Sequence, residues 1–196
     1  NREFQNVTYV DVVARGNGGS ALGSADVARD VIVADNVGTG LWMDDNATVE
    51  SVVARNNGRG LYASPATENV TVRDAVAENN SGVEAGDHLT LVNVTSTDNG
   101  EYGINGEENM TVRASFVAEN GNDGLLGGDD ATVRNTVLRN TTADDAIDLS
   151  DRATVEDVTV DGTLDSDGMV LEANATVRNV TVVGTPDSTD GIDADD

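Results

Sequence analysis

Two short motifs alternate along this chain nine times, so the chain is expected to consist of nine similar structural units. The first motif is a variant of Asn-Ala-Thr-Val, and Gly-Leu or a close relative follows ten to fifteen residues after its valine. The apolar residue after the threonine serves as an anchor, and successive anchors are 19 to 23 residues apart, 21 on average. A fixed period of this length is typical of repeat architectures. The anchors are Tyr9, Ala28, Val49, Val72, Leu91, Val112, Val133, Val155 and Val177.

Each unit contains three short stretches with alternating apolar residues, rich in Val, Thr and Ile and separated by Asn, Asp and Gly. This alternation is typical of β-strands, and no stretch has the periodicity of a helix. Leucine-rich repeats share the period but require their own Leu/Asn consensus, and propeller blades require about forty residues and four strands. The sequence therefore predicts an all-β fold, a right-handed parallel β-helix of about nine coils with three short parallel strands in each.

Asn or Asp stands two residues after the anchor in seven of the nine units. Both residue types tolerate the left-handed backbone that a one-residue bend between two strands requires, and their side chains can hydrogen-bond to the next coil's equivalent. This column resembles the asparagine ladder of the pectate lyase-type β-helix superfamily, and the resemblance covers about residues 6–196. The nine positions are Asp11, Asp30, Ser51, Asp74, Asn93, Ala114, Asn135, Asp157 and Asn179.

The anchors and the apolar residue of each second motif are expected to fill one continuous aliphatic core. We therefore expect a single β-helix domain over residues 1–196, with coils about 4.8 Å apart. Neither end shows an amphipathic helix that could cover the open coil. Solenoids need such caps. We expect the chain to be a fragment of a longer secreted protein, or to associate end to end with itself.

The charge is strongly negative, with 36 acidic residues against 11 basic ones and a net charge of −25. All 11 basic residues are arginine, and aspartate outnumbers glutamate 25 to 11. Such a surface repels itself in dilute salt but stays soluble where molar salt screens it. This composition resembles that of proteins from extreme halophiles such as haloarchaea.

Asparagine begins an Asn-X-Ser/Thr sequon at nine positions, which predicts N-glycosylation and a secreted or cell-surface location. Five of the nine lie where the repeat itself uses Asn-X-Thr to open a strand, so the fold alone also accounts for them. The chain has no cysteine, no phosphate-binding loop, no basic patch for nucleic acid and no membrane span. The sequons begin at Asn6, Asn46, Asn69, Asn79, Asn93, Asn109, Asn140, Asn174 and Asn179.

The strand of the second motif changes in character along the chain. In the early coils Trp42 and Tyr62 occupy the same outward position, and Arg59 precedes the glycine of its coil. Two rings on adjacent strands would form a flat platform on which a sugar could stack, and Arg59 could pair with a uronate carboxylate. These three residues are the candidate carbohydrate-binding site. They could instead only cover the sheet.

In the late coils the same strand carries aspartates. Stacked carboxylates are either acid/base pairs or ligands of a hard cation such as Ca²⁺. No cofactor is required by any motif, and bound Ca²⁺ is the simpler interpretation. The candidate metal ligands are Asp145, Asp148, Asp165, Asp167, Asp190 and Asp193.

The segments 189–192 and 144–147 resemble the Asn-Thr-Asp and Gly-Asp-Asp motifs of polygalacturonase-type glycoside hydrolases. This resemblance implies an acid and base role for the aspartates of this strand, with Asp145, Asp148, Asp167 and Asp190 as the candidate catalytic residues. The motifs occur in a different order here, Ser188 replaces the asparagine, and the Gly-His-Gly and Arg-Ile-Lys motifs are missing.

Two functions follow from these patterns. The first is a non-catalytic extracellular scaffold or adhesin-like module of a halophile that binds a polysaccharide or cell-surface glycan. The second is the β-helix domain of a polysaccharide lyase or glycoside hydrolase that acts on acidic polysaccharide. Enzymes of this fold usually wall their cleft with long loops, whereas no coil here exceeds 23 residues. The sequence therefore favours the scaffold.

Overall fold

The computed structural model of the protein describes residues 6–163, 166–186 and 189–194. Within these ranges the chain forms strands and no helix. The strands are β1 (Thr8–Val10), β2 (Val13–Arg15), β3 (Leu22–Ala34), β4 (Thr39–Arg55), β5 (Arg59–Tyr62), β6 (Thr71–Glu78), β7 (Val83–Glu84), β8 (Thr90–Thr97), β9 (Ile104–Gly106), β10 (Thr111–Arg113), β11 (Phe116–Ala118), β12 (Leu125–Gly127), β13 (Thr132–Arg134), β14 (Val137–Thr141), β15 (Ile147–Leu149), β16 (Thr154–Glu156), β17 (Thr159–Thr163), β18 (Met169–Leu171), β19 (Thr176–Arg178), β20 (Thr181–Val183) and β21 (Asp193–Ala194).

Every strand pairs in parallel with the equivalent strand of a neighbouring coil. The anchors pair with one another along the chain, as Val49 does with Val72 and Val112 with Val133. The predicted right-handed parallel β-helix of about nine coils is therefore confirmed. Its first face contains the anchor strands, the second face the strands after the bend, and the third face the strands of the Gly-Leu motif. The long strands β3 and β4 pass over all three faces.

The core is a single aliphatic column inside the coils, as the sequence predicts. The anchors from Ala28 to Val155 are fully buried, and so are the equivalent third-face residues from Leu41 to Met169. Burial of a side chain of this kind stabilises the fold by about 1.5–3 kcal/mol. In the first and last coils the side chains of Val10, Val13, Val177 and Ile192 are exposed. End-to-end association through these coils stays a prediction.

The corners of the coils use left-handed backbone. All nine residues of the predicted bend column have positive φ angles, between 50° and 55°, including Ser51 and Ala114. Main-chain hydrogen bonds to the next coil fix this conformation, for example from the Ala114 N–H to the Arg134 carbonyl at 3.1 Å. The bend therefore persists even where the sequence departs from Asn and Asp.

The asparagine ladder, however, lies in a different column from the one that the sequence suggested. In the bend column the inter-coil bonds between side chains are exposed, such as that from Asn93 to Asp74 at 2.6 Å. The buried ladder lies at the corner between the second and third faces. There the Asn36 amide donates to Asn57 Oδ1 at 2.7 Å, and the Asn57 amide donates to Asn80 Oδ1 at 3.0 Å. The ladder begins at the exposed Asn17 and continues through the buried Asn36, Asn57, Asn80, Asn99 and Asn120.

Candidate functional site

The third face places Trp42 and Tyr62 on neighbouring coils in direct register. Both side chains point outward because they alternate with the buried residues Leu41 and Leu61 on their strands. Among the described residues, they are the one pair of aromatic rings in stacking contact, with centroids 4.6 Å apart and planes inclined by 17°. The coil spacing of about 4.8 Å matches this separation. The fold therefore creates the stack.

The two rings do not lie side by side as the flat platform that the sequence suggested. They stack on each other along the coil axis, so each ring covers a face of the other. The neighbour of Trp42 on the opposite side is the irregular segment of Gly23 and Ser24. Gly23 has no side chain, and the space where its Cβ would lie is open. The indole face toward Gly23 is therefore the surface on which a sugar ring could stack.

Arg59 lies beside this stack, with its guanidinium carbon 4.2 Å from the centre of the Tyr62 ring. This is the geometry of a cation–π contact, which fixes the orientation of the side chain. Within the described part of the chain, no carboxylate lies within 4.0 Å of Arg59. Arg59 also lines an open groove of about 350 Å³ together with Ser20, Val37, Gly38, Thr39 and Gly58. Its hydrogen-bond donors are thus available to a ligand.

A second cavity, of about 300 Å³, opens at the corner between the third and first faces. It is lined by Asp26, Asp44, Asp45, Ala66 and Thr67. It occurs at the coil of 23 residues, the longest in the chain, whose extra residues form the turn around Ala66. Asp26 accepts a hydrogen bond from the Val7 N–H at 2.7 Å, and Asp45 from the Glu68 N–H at 3.1 Å. Each of these two carboxylates therefore fixes a backbone N–H group of a neighbouring coil.

In the late coils the aspartates before the second motif form a ladder of their own. Asp123 Oδ1 accepts a hydrogen bond from the Asp145 N–H at 3.1 Å, Asp145 Oδ1 from the Asp167 N–H at 3.0 Å, and Asp167 Oδ1 from the Asp190 N–H at 2.6 Å. Ser166 also donates to Asp145 Oδ1. Each carboxylate therefore holds the backbone of the next coil, a structural role that the sequence did not reveal.

Three carboxylates meet around the start of this ladder. Oxygens of Asp123, Asp144 and Asp145 all lie within 4.8 Å of one another. Asp123 is 5% exposed, and burial together with Asp144, Asp148 and Asp145 raises its pKa to about 7. Burial also raises the pKa values of Asp145 and Asp148. This group, Asp123, Asp144, Asp145 and Asp148, is called the acidic cluster below.

The structure brings only part of the predicted acidic site together. Asp145 and Asp148 belong to the acidic cluster, and the charge of Asp167 acts on Asp145 from the next coil. Asp193 is separated from Asp148 by Val170, which pairs with both. Asp190 is two coils beyond Asp145 and donates its N–H to Asp167. Asp165 lies outside the described residues. A Ca²⁺ ion bound to these residues stays a prediction.

Sequence reasoning missed Asp123 as a member of the acidic cluster. It lies one coil before Asp145 in the same column, and this periodic position was the signal that could have identified it. The aspartates whose charges act on Asp123 belong to the next coil, so its charge environment becomes visible only when the coils are stacked.

Comparison with solved structures finds the A-module of mannuronan C-5 epimerase AlgE4 from Azotobacter vinelandii. The TM-score is 0.56, with 12% sequence identity over 95% of this chain and 57% of that module. The A-module of mannuronan C-5 epimerase AlgE6 from the same organism gives a TM-score of 0.43 and 17% identity, over 96% of this chain and 58% of that module. This chain thus spans less than two thirds of either module.

No protein-family model matches the sequence, and no curated protein matches it either. The described residues contain no helix with the length and apolar character needed to cross a membrane. At 12% identity the similarity to the AlgE4 module concerns the fold alone. The chain is a right-handed parallel β-helix, a fold that it shares with a module of a polysaccharide-modifying enzyme.

Proposed function

We propose that this chain is a non-catalytic, carbohydrate-binding β-helix module of a secreted or cell-surface protein from a halophile. The observation that carries this proposal is the stack of Trp42, Tyr62 and Arg59 on the third face. An aromatic face can pack against the apolar side of a sugar ring, and a guanidinium beside it can hydrogen-bond to hydroxyl or carboxylate oxygens. A polysaccharide or a cell-surface glycan is the ligand class that fits.

The rigidity of the stack supports binding rather than simple coverage of the sheet. Stacking on Tyr62 holds the indole of Trp42 in one orientation, and the cation–π contact does the same for Arg59. Side chains that are already ordered lose little conformational entropy when a ligand binds. The open indole face lies above Gly23, and any larger residue there would narrow the space for a sugar ring.

We expect the variant with both Trp42→Ala and Tyr62→Ala to bind its polysaccharide ligand at least about tenfold more weakly than the native protein, which corresponds to about 1.4 kcal/mol. The loss follows from removal of the stacking surface. The measurement is affinity electrophoresis and titration calorimetry in high salt against a panel of neutral and acidic polysaccharides.

The matched control is Tyr102→Ala, which removes another partly exposed tyrosine outside the stack. It should leave the affinity unchanged. Circular dichroism shows whether each variant keeps its strands. Equal affinity of the double variant and the native protein for every ligand in the panel would rule out the stack as the binding site.

The high-salt location rests on the distribution of charge. The rod carries a net charge of −25. Among the described residues the ion pairs lie at the surface and involve far fewer carboxylates than the chain carries, as with Arg55 and Glu78 at 2.8 Å and Arg152 and Asp130 at 2.9 Å. Exposed pairs of this kind contribute about 0–1 kcal/mol each. They cannot offset the repulsion between so many uncompensated carboxylates in dilute salt.

We expect the melting temperature to rise by at least about 10 °C between 0.1 and 1 M NaCl, because the screening length falls from about 10 Å to about 3 Å over this range. Thermal unfolding followed by circular dichroism measures the shift. Sucrose is the control, since it strengthens apolar burial without screening charge. An equal rise in sucrose, or a flat curve in NaCl, would contradict the assignment to a high-salt environment.

One observation favours the alternative function of a polysaccharide lyase or glycoside hydrolase. Burial and the neighbouring aspartates raise the pKa of Asp123 to about 7, in the range that suits a general acid, and one of its carboxylate oxygens lies within 4.8 Å of an oxygen of Asp145. Against this function, Asp123 is 5% exposed, and its Oδ1 accepts the Asp145 N–H. A buried carboxylate that holds the backbone has little access to a polymer.

The two functions are separated by incubation with polygalacturonate and alginate in high salt, with and without Ca²⁺. Unsaturated products are followed by absorbance, and new reducing ends by a colorimetric assay. We expect no turnover. Turnover that disappears in both Asp123→Asn and Asp145→Asn would replace our proposal with the enzymatic one.

A further inference from the structure

The structure separates the asparagine sequons into two groups by what the side chain contacts. Four of them share one corner, directly before the anchor strands of the first face. Their asparagines are exposed and left-handed, with φ between 57° and 63°. These four residues, called the corner asparagines below, are Asn46, Asn69, Asn109 and Asn174.

The corner asparagines keep their side chains free of the fold. In the described part of the chain, none of their amide nitrogens donates a hydrogen bond to protein. Their backbone is instead held by the main chain, as the Asn46 N–H donates to the Glu68 carbonyl at 2.9 Å and the Asn109 N–H to the Asp129 carbonyl at 2.8 Å. A group attached to the side chain would therefore break no hydrogen bond of the coil.

The other two residues of each corner sequon, the middle residue and the threonine, are also arranged in a way that suits modification. The middle residue points into the core, as the fully buried Ala47, Val70 and Met110 show. Because side chains alternate along a strand, the threonine that follows points outward on the same side as the rest of the exposed surface. Thr48, Thr71 and Thr111 are each partly exposed. Both groups that a glycosyltransferase recognises in the sequon are accessible.

In the other sequons a side chain is hydrogen-bonded to a neighbouring coil. The Asn93 amide donates to Asp74 at 2.6 Å, the Asn79 amide donates to Asn56 at 2.8 Å, and the Asn179 amide donates to Asp157. In the sequon of Asn140 the hydroxyl of Thr142 donates to the Asn120 carbonyl at 2.7 Å. Asn6 adjoins residues 1–5, outside the described residues, and is not included in either group.

We propose that the corner asparagines are N-glycosylation sites, arranged in a line along one edge of the rod, and that Asn79, Asn93, Asn140 and Asn179 are not modified in the folded chain. The donor is an oligosaccharide linked through phosphate to a polyprenol, used by an oligosaccharyltransferase. The asparagine Nδ2 forms a bond to C1 of the first sugar, the bond from C1 to the phosphate oxygen breaks, and the Nδ2 loses one proton. This goes beyond the carbohydrate binding proposed above and does not depend on it.

The spacing of the corner asparagines sets how many glycans fit. Asn46 and Asn69 lie on adjacent coils, about 4.8 Å apart, which is too close for two bulky glycans. Asn109 has His88 and Asp130 as its neighbours in this column. We therefore expect Asn109 and Asn174 to be modified independently, while in each molecule only one of Asn46 and Asn69 carries a glycan.

The test uses the folded chain, an oligosaccharyltransferase and its polyprenol-linked donor, with peptide mapping by mass spectrometry. Synthetic peptides that span each sequon provide the unfolded reference. We expect all peptides to be modified, whereas in the folded protein Asn109 and Asn174 are modified at least tenfold more than Asn93 and Asn179. Equal modification of all sequons in the folded protein, or none at the corner, would overturn the proposal.

A pair of variants tests whether the side-chain hydrogen bond is what protects an asparagine from modification. Asp74→Gly removes the acceptor for the Asn93 amide and keeps a residue that suits the φ of 51° at this bend. We expect Asn93 to become modified in this variant, while modification of Asn109 stays the same. Thr111→Ala, which destroys the sequon but keeps Asn109, should abolish modification there. If Asn93 stays unmodified in Asp74→Gly, hydrogen bonding is not what protects it.

Discussion

Replacing Asn57 with alanine is expected to lower the free energy of unfolding by about 3 kcal/mol. Asn57 is 7% exposed and lies in the middle of the buried asparagine ladder. Its Oδ1 accepts from both the side chain and the backbone N–H of Asn36, and its amide donates to Asn80 Oδ1 and to the Val33 carbonyl. Alanine would leave these groups buried without partners, which costs about 1–3 kcal/mol for each such group.

The matched control for this prediction is Asn56→Gly, at the adjacent exposed position. Asn56 has a φ of 52°, and glycine adopts that conformation without strain. Its side-chain bonds to Asp35 and Asn79 are exposed, so we expect a change of no more than about 0.5–1 kcal/mol. Chemical denaturation in high salt measures both variants. If the two lose the same stability, the ladder is not a major source of it.

Asp123→Asn is expected to stabilise the protein above pH 7 by about 2 kcal/mol, after allowance for solvent screening. The folded-state pKa of Asp123 is raised to about 7 from 3.8. Between these values the folded state binds more protons than the unfolded state, so native stability falls as the pH rises from about 4 to 7. Asparagine keeps the oxygen that accepts the Asp145 N–H but carries no charge. The stabilisation should therefore vanish below pH 4.

Two further variants separate charge from hydrogen bonding at Asp123. Asp123→Ala removes both the charge and the acceptor, so it should be less stable than Asp123→Asn at every pH. At Asp130 the hydrogen bond from Arg152 lowers the pKa, so the charged form of Asp130 stabilises the folded state. Asp130→Asn should therefore destabilise the protein at neutral pH, and this loss should disappear in acid, where Asp130 is protonated in both states. Denaturation at several pH values measures all three. A pH-independent effect of Asp123→Asn would show that Asp123 is not titrating in this range.

The fold was predictable because the information that specifies it is local. A strand alternates buried and exposed residues, and a fixed period places equivalent residues on neighbouring coils. The anchors therefore gave the register correctly, as in the pairing of Val49 with Val72. The left-handed bends were also predictable, because Asn and Asp tolerate that backbone.

The ladder was placed in the wrong column because both columns recur with the same period. Asn57 and Asn80 follow each other at the same step as Val49 and Val72. The two columns differ in whether the corner turns the side chain into the coil, as at Asn57, or out to solvent, as at Asn93. The spacing of residues carries no information on that orientation.

For the candidate site too, the sequence predicted which residues share a column but not how their side chains are arranged. The sequence placed Trp42 and Tyr62 on neighbouring coils, but it could not show that the rings stack on each other and leave one indole face open above Gly23. It identified the late aspartates as a group, yet it missed Asp123. A shifted pKa depends on burial and on distances between charges, and both become defined only when the coils are stacked.

The sequence by itself determined that this protein is a β-helix rod, because a period of about 21 residues with three alternating stretches per unit and no leucine-rich consensus excludes the other repeat folds of this length. It also determined the rod's large negative charge. The tertiary structure alone decided which of the repeated polar side chains form hydrogen bonds to neighbouring coils and which do not. The side chains of Asn57 and Asn93 are hydrogen-bonded to neighbouring coils while the side chain of Asn109 is not, because such a bond depends on the orientation of two side chains and not on how often they recur.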